Sequence, residues 1–390
     1  MHSKLQFRSF LLLVGIFYLN FLSRIVLAPL LPILEVEFGL GYRGAGSLFL
    51  FIAIGYCVGL LVSPFISSLL NHKRTVILSA MGVGGIVLII SRSTGISKVC
   101  LSLLGVSAGF YLPSGMAIIT ELIKKQNWGR ALAIHEMAPN LALVTAPLLV
   151  EVLLRVLPWR GITVLIGASS ILMGTLFFLM SREGEQKGKP TTPETMRKIF
   201  REPVMWIILP VFALSVGASD GVYAMLPLFL VNEIGIDRQL TNMIMGFSRI
   251  PGIVILLFSG LIIDRIGPIL VMAILLTTTG ISTLMLGVLH GALLTPVLVF
   301  LQAISSACFL PAALTAVSFC FPHHLRSLVI SFVVTVSIFC GVGMTPLGIG
   351  YLAELSSFSF SFAILGILIL AMVPLIFRIR IRLELHGDIH

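Results

Sequence analysis

Charge is scarce in this sequence. Asp, Glu, Lys and Arg make up 11% of its 390 residues, whereas a water-soluble surface takes about a quarter. That shortage excludes a soluble domain. The five cysteines, Cys57, Cys100, Cys308, Cys320 and Cys340, show no CxxC spacing and no neighbouring His or Asp cluster, so they read as small core hydrophobes and not as a metal or disulfide framework. No glycine-rich phosphate loop and no nucleophile triad is visible, so no cofactor is expected. Long polar stretches are missing too, apart from Ser181 to Pro203. Period-two alternation is absent as well, which excludes the strands of a membrane barrel.

What is present is apolar sequence, 57% of the chain, in runs of about 20 residues, the length of a helix that crosses a bilayer. Cutting at charged and turn-rich interruptions predicts helices at 9–34, 44–70, 75–91, 99–121, 131–154 and 161–180. Six more follow at 204–231, 241–263, 269–289, 296–320, 328–352 and 358–377. The first run is too long for a signal-peptide core, has no small-residue cleavage site and carries Arg24, Pro29 and Pro32, so it is expected to stay as the first helix. The predicted organisation is an all-α membrane protein: an N-terminal six-helix bundle (1–180), a polar linker (181–203) with a helix start at Thr192-Pro193-Glu194, and a C-terminal six-helix bundle with a short tail (204–390).

The net charge of +10 is a topology signal and not a sign of nucleic acid, because Lys and Arg sit in the short loops between apolar runs. On the side of the amino terminus are Lys4, Arg8, Lys73, Arg74, Lys124, Lys125, Arg130, six linker residues, Arg265, Arg326, Arg378, Arg380 and Arg382, 18 in all. The other side has six: Arg43, Arg92, Lys98, Arg155, Arg160 and Arg238. The imbalance predicts that both termini and the linker are cytoplasmic, with a bacterial inner membrane the expected location. Arg24 and Arg249 remain, and both fall inside predicted spans.

The chain repeats itself. Ala28-Pro29-Leu30 matches Leu226-Pro227-Leu228 at an offset of 198, and Phe38-Gly39-Leu40 matches Ile234-Gly235-Ile236 at 196. Phe110-Tyr111-Leu112-Pro113 matches Phe309-Leu310-Pro311 at 198, Arg130 matches Arg326 at 196, and Pro147 matches Pro346 at 199. Five landmarks in one order with nearly constant offset describe two tandem copies of a six-helix unit. Parallel repeats of this kind imply a pseudo-twofold axis along the membrane normal, with a site between the halves near mid-depth.

After the eighth helix, Gly260-Leu-Ile-Ile-Asp264-Arg265-Ile-Gly267 has the G-x-x-x-D-R-x-G pattern. With Gly129-Arg130-Ala131, Ala146-Pro147 and Trp159-Arg160, it makes the whole chain resemble the major facilitator superfamily. The resemblance implies a twelve-helix secondary transporter working by alternating access, in which Gly260, Asp264, Arg265 and Gly267 form a conformational gate and Asp264 pairs with a basic residue, here Arg130. The first-half loop, Ser63 to Arg74, has Ser67 where the acid is expected. Arg24, Ala28-Pro29, Glu37-Phe38-Gly39-Leu40, Gly46 and Gly55-Tyr56 are similar to the opening helices of the family's organic-anion and organophosphate carriers. There the matching arginine binds the substrate anion. Arg249 is similar to the helix-eight arginine of its monocarboxylate carriers, with Met245 in place of their acidic neighbour.

An ionisable group inside the span costs several kcal/mol, so each one is a functional candidate. Arg24 has Asn20 one turn earlier on the same face, and a guanidinium presents a planar fork to carboxylate or phosphate. Arg24, Arg249, Asn20, Tyr56, Tyr223 and Gln302 are the substrate-binding candidates. Asp220 is the first candidate for proton coupling, because a carboxylate among apolar helices takes up and releases a proton as its cavity dries and wets. A static salt bridge to Arg24 or Arg249 is the competing role. His135 and Glu136 are the second candidate; adjacent residues point about 100° apart on a helix, so one of them is expected to face the cavity. The expected partners are a small-molecule substrate, protons or another cation, and membrane lipids, with the chain acting as a monomer. The favoured activity is proton-coupled symport of a small organic anion. Proton-driven export of lipophilic compounds is the alternative, disfavoured by an arginine in helix one and by Ala146 in place of glycine.

Overall fold

Apolar runs decide where the helices lie, and caps and prolines decide where they stop or bend. In the computed structural model, which describes residues 2–181, 184, 186–187, 204–291, 293–321 and 323–385, twelve helices are long and apolar enough to cross a membrane. They are α1 (Gln6–Phe38), α2 (Gly41–Leu70), α3 (His72–Arg92), α4 (Lys98–Leu122), α5 (Lys125–Leu154) and α6 (Trp159–Met180). After the linker come α7 (Met205–Glu233), α8 (Arg238–Ile266), α9 (Pro268–Val288), α10 (Leu294–Cys320), α11 (Val329–Leu355) and α12 (Phe358–Arg378). Most of the linker, with Thr192-Pro193-Glu194, lies outside the described residues.

All twelve predicted runs are helices, and most extend beyond their predicted ends. Arg130 and Arg326, read from sequence as loop residues, are helical. A hydropathy cut ends at the first charge, whereas the backbone hydrogen bonds of a helix run on past it. The cysteines also differ from expectation: Cys308 is buried, but the other four are partly exposed on helix surfaces.

Prolines account for three bends. The helix breaks at Val26 in α1, Phe110 in α4 and Cys308 in α10, each three residues before a proline (Pro29, Pro113, Pro311). Proline offers no N–H to the carbonyl four residues back and its ring crowds that carbonyl. The breaks in α4 and α10 are 198 residues apart, so the repeat seen in sequence is a repeated bend. Gly39 (φ 58°) and Gly235 (φ 76°) close α1 and α7 in the left-handed region that only glycine enters freely. Gly267 (φ 86°) follows α8, and its first-half equivalent is Asn71 (φ 83°). The Asn71 side chain accepts the Arg74 N–H at 2.9 Å, so the first half keeps the turn after losing both the acid and the glycine.

Contacts divide the chain into two units, residues 1–38 with 51–191 and residues 39–50 with 192–390. Within the first, α3 packs along α6, α1 against α5 and α6, and α4 against α3. Helices α2 and α4 cross through Gly55, Gly59, Gly105 and Gly109, two facing G-x-x-x-G pairs of the kind that lets membrane helices approach closely. A Cβ added at Gly55 would stand 1.9 Å from the Ser102 carbonyl oxygen. Within the second unit, α9 packs along α12, α7 against α11 and α12, and α10 against α8 and α9. Here α7 widens into π-helix at Gly217–Gly221 and Phe229–Glu233, and α11 does so at Ile338–Met344. The first of the α7 stretches crosses that of α11 at Gly217, Gly221 and Gly341, where a Cβ on Gly341 would lie 2.6 Å from the Gly217 nitrogen.

Each unit also has a carboxylate tie. At the end of α1, Glu37 accepts from the Trp159 indole and the Arg160 guanidinium at the start of α6, both at 2.6 Å. At the end of α7, Glu233 accepts from the Phe358 and Ser359 N–H groups at 2.5 and 2.9 Å, capping α12. The two glutamates are 196 residues apart.

Candidate functional site

In the first unit the bend of α1 lies just past Arg24. The Arg24 guanidinium lies over the Tyr56 ring of α2, 4.1 Å from its centroid, and 5.0 Å from that of Phe21. Its Nε donates to the Asn20 carbonyl at 3.3 Å. Tyr56 is held by the glycine crossing, because a Cβ at Gly105 or Gly109 would come within 2.6 or 2.5 Å of its backbone N and O. Asn20 is buried and its Nδ2 donates to the Ala108 carbonyl at 3.0 Å and to Ser79 Oγ at 3.3 Å. Its Oδ1 is buried with no hydrogen-bond partner among the described residues.

In the second unit Arg249 is 4% exposed. It donates from Nη1 to Ser219 Oγ at 3.1 Å and from Nη2 to the Ser219 carbonyl at 2.7 Å. Its guanidinium stands 5.1 Å from the centroid of the Tyr223 ring of α7. Asp220 is within electrostatic reach of both Arg249 and Tyr223. Buried Gln302 donates to the Ala218 carbonyl at 2.6 Å. The carbonyls of Ala218 and Ser219 belong to the π-helical stretch, whose altered pairing turns backbone acceptors toward side chains, as such stretches do at functional sites.

The two units hold the same contacts with the partners exchanged. In the first, an arginine on the opening helix meets a tyrosine on the next; in the second, the tyrosine is on the opening helix and the arginine on the next. Likewise an amide on α1 binds a carbonyl of α4, whereas an amide on α10 binds a carbonyl of α7.

His135 and Glu136 differ in burial although their side chains touch. His135 is fully buried, stacked on Phe17 at 4.2 Å between centroids, whereas the Glu136 side chain is 53% exposed. Tyr111 Oη donates to the Leu13 carbonyl at 2.7 Å and lies 3.0 Å from His135 Nε2. His135 Nδ1 lies 3.3 Å from Glu136 Oε1. Asp264 and Arg265 are exposed at the end of α8 and Arg130 is exposed in the first turns of α5, while Gly260 has no neighbour within 4 Å of a Cβ built on it.

Sequence reasoning missed Ser219, Phe17 and the role of Tyr111. Ser219 had a signal, since Gly217-Ala-Ser-Asp-Gly221 is a polar, glycine-flanked break in an apolar run. Phe17 carried none.

The sequence model of the Major Facilitator Superfamily matches residues 13–268 and 213–387. No curated protein sequence matches the chain. Similar solved structures include a bacterial homologue of the human lysosomal transporter Spinster, inward-facing and occupied, at 14% identity and TM-score 0.79, covering 95% of this chain and 96% of that one. A D-xylose–proton symporter is 14% identical with TM-score 0.76, covering 94% and 96%. A POT family transporter in complex with 5-aminolevulinic acid is 11% identical with TM-score 0.78, covering 96% of each chain.

Proposed function

Since the chain belongs to the Major Facilitator Superfamily, and is therefore a multi-pass membrane transporter and not an enzyme, we propose that it moves a small organic anion, a carboxylate or phosphorylated metabolite, together with protons. The observation that carries this reading is the pair of membrane-embedded guanidiniums, each laid on a tyrosine. Such a stack holds the planar group, whose paired N–H bonds suit a carboxylate or phosphate, and an anion that takes Arg249 replaces its two contacts to Ser219. Arg24 and Arg249 are the anion-binding groups, with Asn20, Tyr56, Tyr223 and Gln302 around them. The bare Oδ1 of Asn20 suits a substrate that also carries a hydroxyl or amine donor, because a buried acceptor left unpaired costs about 1–3 kcal/mol.

Asp220 is the proton carrier in this reading. Ionised, it competes with the substrate for Arg249; protonated, it leaves the guanidinium to the anion, so proton and anion bind together. Gly260, Asp264, Arg265, Gly267 and Arg130 are the gate residues of this reading, and the excess of Lys and Arg supports cytoplasmic termini in a bacterial inner membrane.

The test is uptake of labelled monocarboxylates, dicarboxylates and sugar phosphates into proteoliposomes under an imposed pH gradient. Loss of uptake in Arg24→Ala is expected, and undiminished uptake overturns the anion assignment. Asp220→Asn is expected to abolish accumulation driven by the pH gradient; if it still concentrates substrate, the proton assignment is wrong.

A further inference from the structure

Hydrogen-bond donors and acceptors around His135 balance only with one extra proton. Tyr111 has a single hydroxyl hydrogen, and the Leu13 carbonyl, which can only accept, takes it at 2.7 Å. His135 Nε2, 3.0 Å from the same oxygen, must therefore be a donor. A neutral imidazole with its hydrogen on Nε2 has a bare lone pair on Nδ1. That lone pair faces Glu136 Oε1 at 3.3 Å, and two acceptors do not attract each other. The contact closes only when a proton lies between them, giving imidazolium and carboxylate or imidazole and carboxylic acid.

We propose that His135 Nδ1 and Glu136 Oε1 form a proton-binding site in the first six-helix unit, separate from Asp220. The exposed Glu136 takes the proton from water and shares it with the buried ring, whose flat stack on Phe17 suits a cation. Loss of that proton leaves lone pair against lone pair, and the pair parts. No other bond is made or broken; one proton enters or leaves and the charge changes by one.

The titratable and charged groups on α5 and on the helices beside it include Tyr18 and Arg24 on α1, Tyr56 on α2, Tyr111 on α4 and the exposed Arg130 on α5 itself. On α6 the charged residue is Arg160, at the end tied to Glu37. Tyr56 is within electrostatic reach of Arg24 and of Glu136, and Tyr111 of Glu136 and Tyr56. The anion candidate Arg24 and Glu136 of the proton pair are thus both within electrostatic reach of Tyr56 inside a single unit. This assignment rests on the transporter reading for its purpose, but its test needs no substrate.

The experiment is nitrogen NMR of the full-length protein, labelled at histidine and held in nanodiscs, with His135→Gln identifying the signal. In the unaltered protein the neutral ring is expected to carry its hydrogen on Nε2 and to gain one on Nδ1 in a single step as pH falls. In Glu136→Gln the amide donates to Nδ1 without an added proton, so the step is expected to move by about one pH unit or more. Tyr111→Phe removes the oxygen that holds the hydrogen on Nε2, and the neutral ring is expected to switch to the Nδ1–H tautomer. A neutral ring already in the Nδ1–H form, the absence of a step, or a step unmoved in Glu136→Gln overturns the proposal. Glu136 is mostly exposed, so that variant tests the idea even where Tyr111→Phe fails to fold. Loss of anion uptake in Arg24→Ala with an unmoved histidine step would separate failure here from failure of the anion reading.

Discussion

A guanidinium over a tyrosine face differs from an ammonium near one, because only the planar group can lie on the ring and still aim paired N–H bonds outward. Arg24→Lys therefore keeps the charge and loses the geometry. Its KM for the transported anion is expected to rise about tenfold to a hundredfold, the worth of one charge-assisted contact, measured as concentration-dependent uptake. Tyr56→Leu removes the platform without touching the charge, and is expected to raise KM by a smaller factor in the same assay. At this scale the sequence was informative wherever a polar side chain interrupted an apolar run: Arg24, Asn20, Asp220, Arg249 and His135 all stood out. It was silent about their partners, since Phe17 and the carbonyls of Leu13 and Ser219 become recognisable only once helices cross.

Among helices, proximity is governed by what is left out. The α2–α4 crossing has no room for a single methyl group, which is what brings Tyr56 under Arg24. Gly55→Val places carbon where the Ser102 carbonyl already is and is expected to destabilise the protein by about 2–3 kcal/mol, seen as a lower melting temperature in detergent. Gly348→Ala, with nothing within 4 Å of its Cβ, is the matched control and is expected to melt unchanged or slightly higher. The twelve spans were readable because hydropathy is a sum over many residues. The π-helical stretches were not, because one extra residue in a turn leaves that sum unaltered; the glycines at 217, 221 and 341 and Pro346 were their only trace.

Over the whole chain, duplication was the most legible property, and its landmarks are backbone requirements: prolines that bend, glycines that end. The carboxylate ties repeat by the same logic although their chemistry differs. Glu233 caps backbone N–H groups, so Glu233→Gln is expected to lower thermal stability by about 1 kcal/mol. Glu37 and its partner Arg160 are partly open to solvent, and Glu37→Gln is expected to lower the melting temperature less, by an amount that shrinks as salt is added. The proposed orientation is checked by fusions at the carboxyl terminus: a fluorescent-protein fusion is expected to glow and an alkaline phosphatase fusion to stay inactive.

The exchanged arginine and tyrosine bear on how such halves are compared. Aligned position by position, Arg24 faces Val222 and Arg249 faces Ala53, so each guanidinium looks like an invention of its own half, with no counterpart in the other. Compared as neighbouring helices, the halves agree: each has one cation and one aromatic ring at the junction of its first two segments. What the two copies share here is a meeting of two side chains, whichever of the two helices supplies which. Paired positions, and not single columns, are therefore the level at which the ancient kinship of the two copies should be sought.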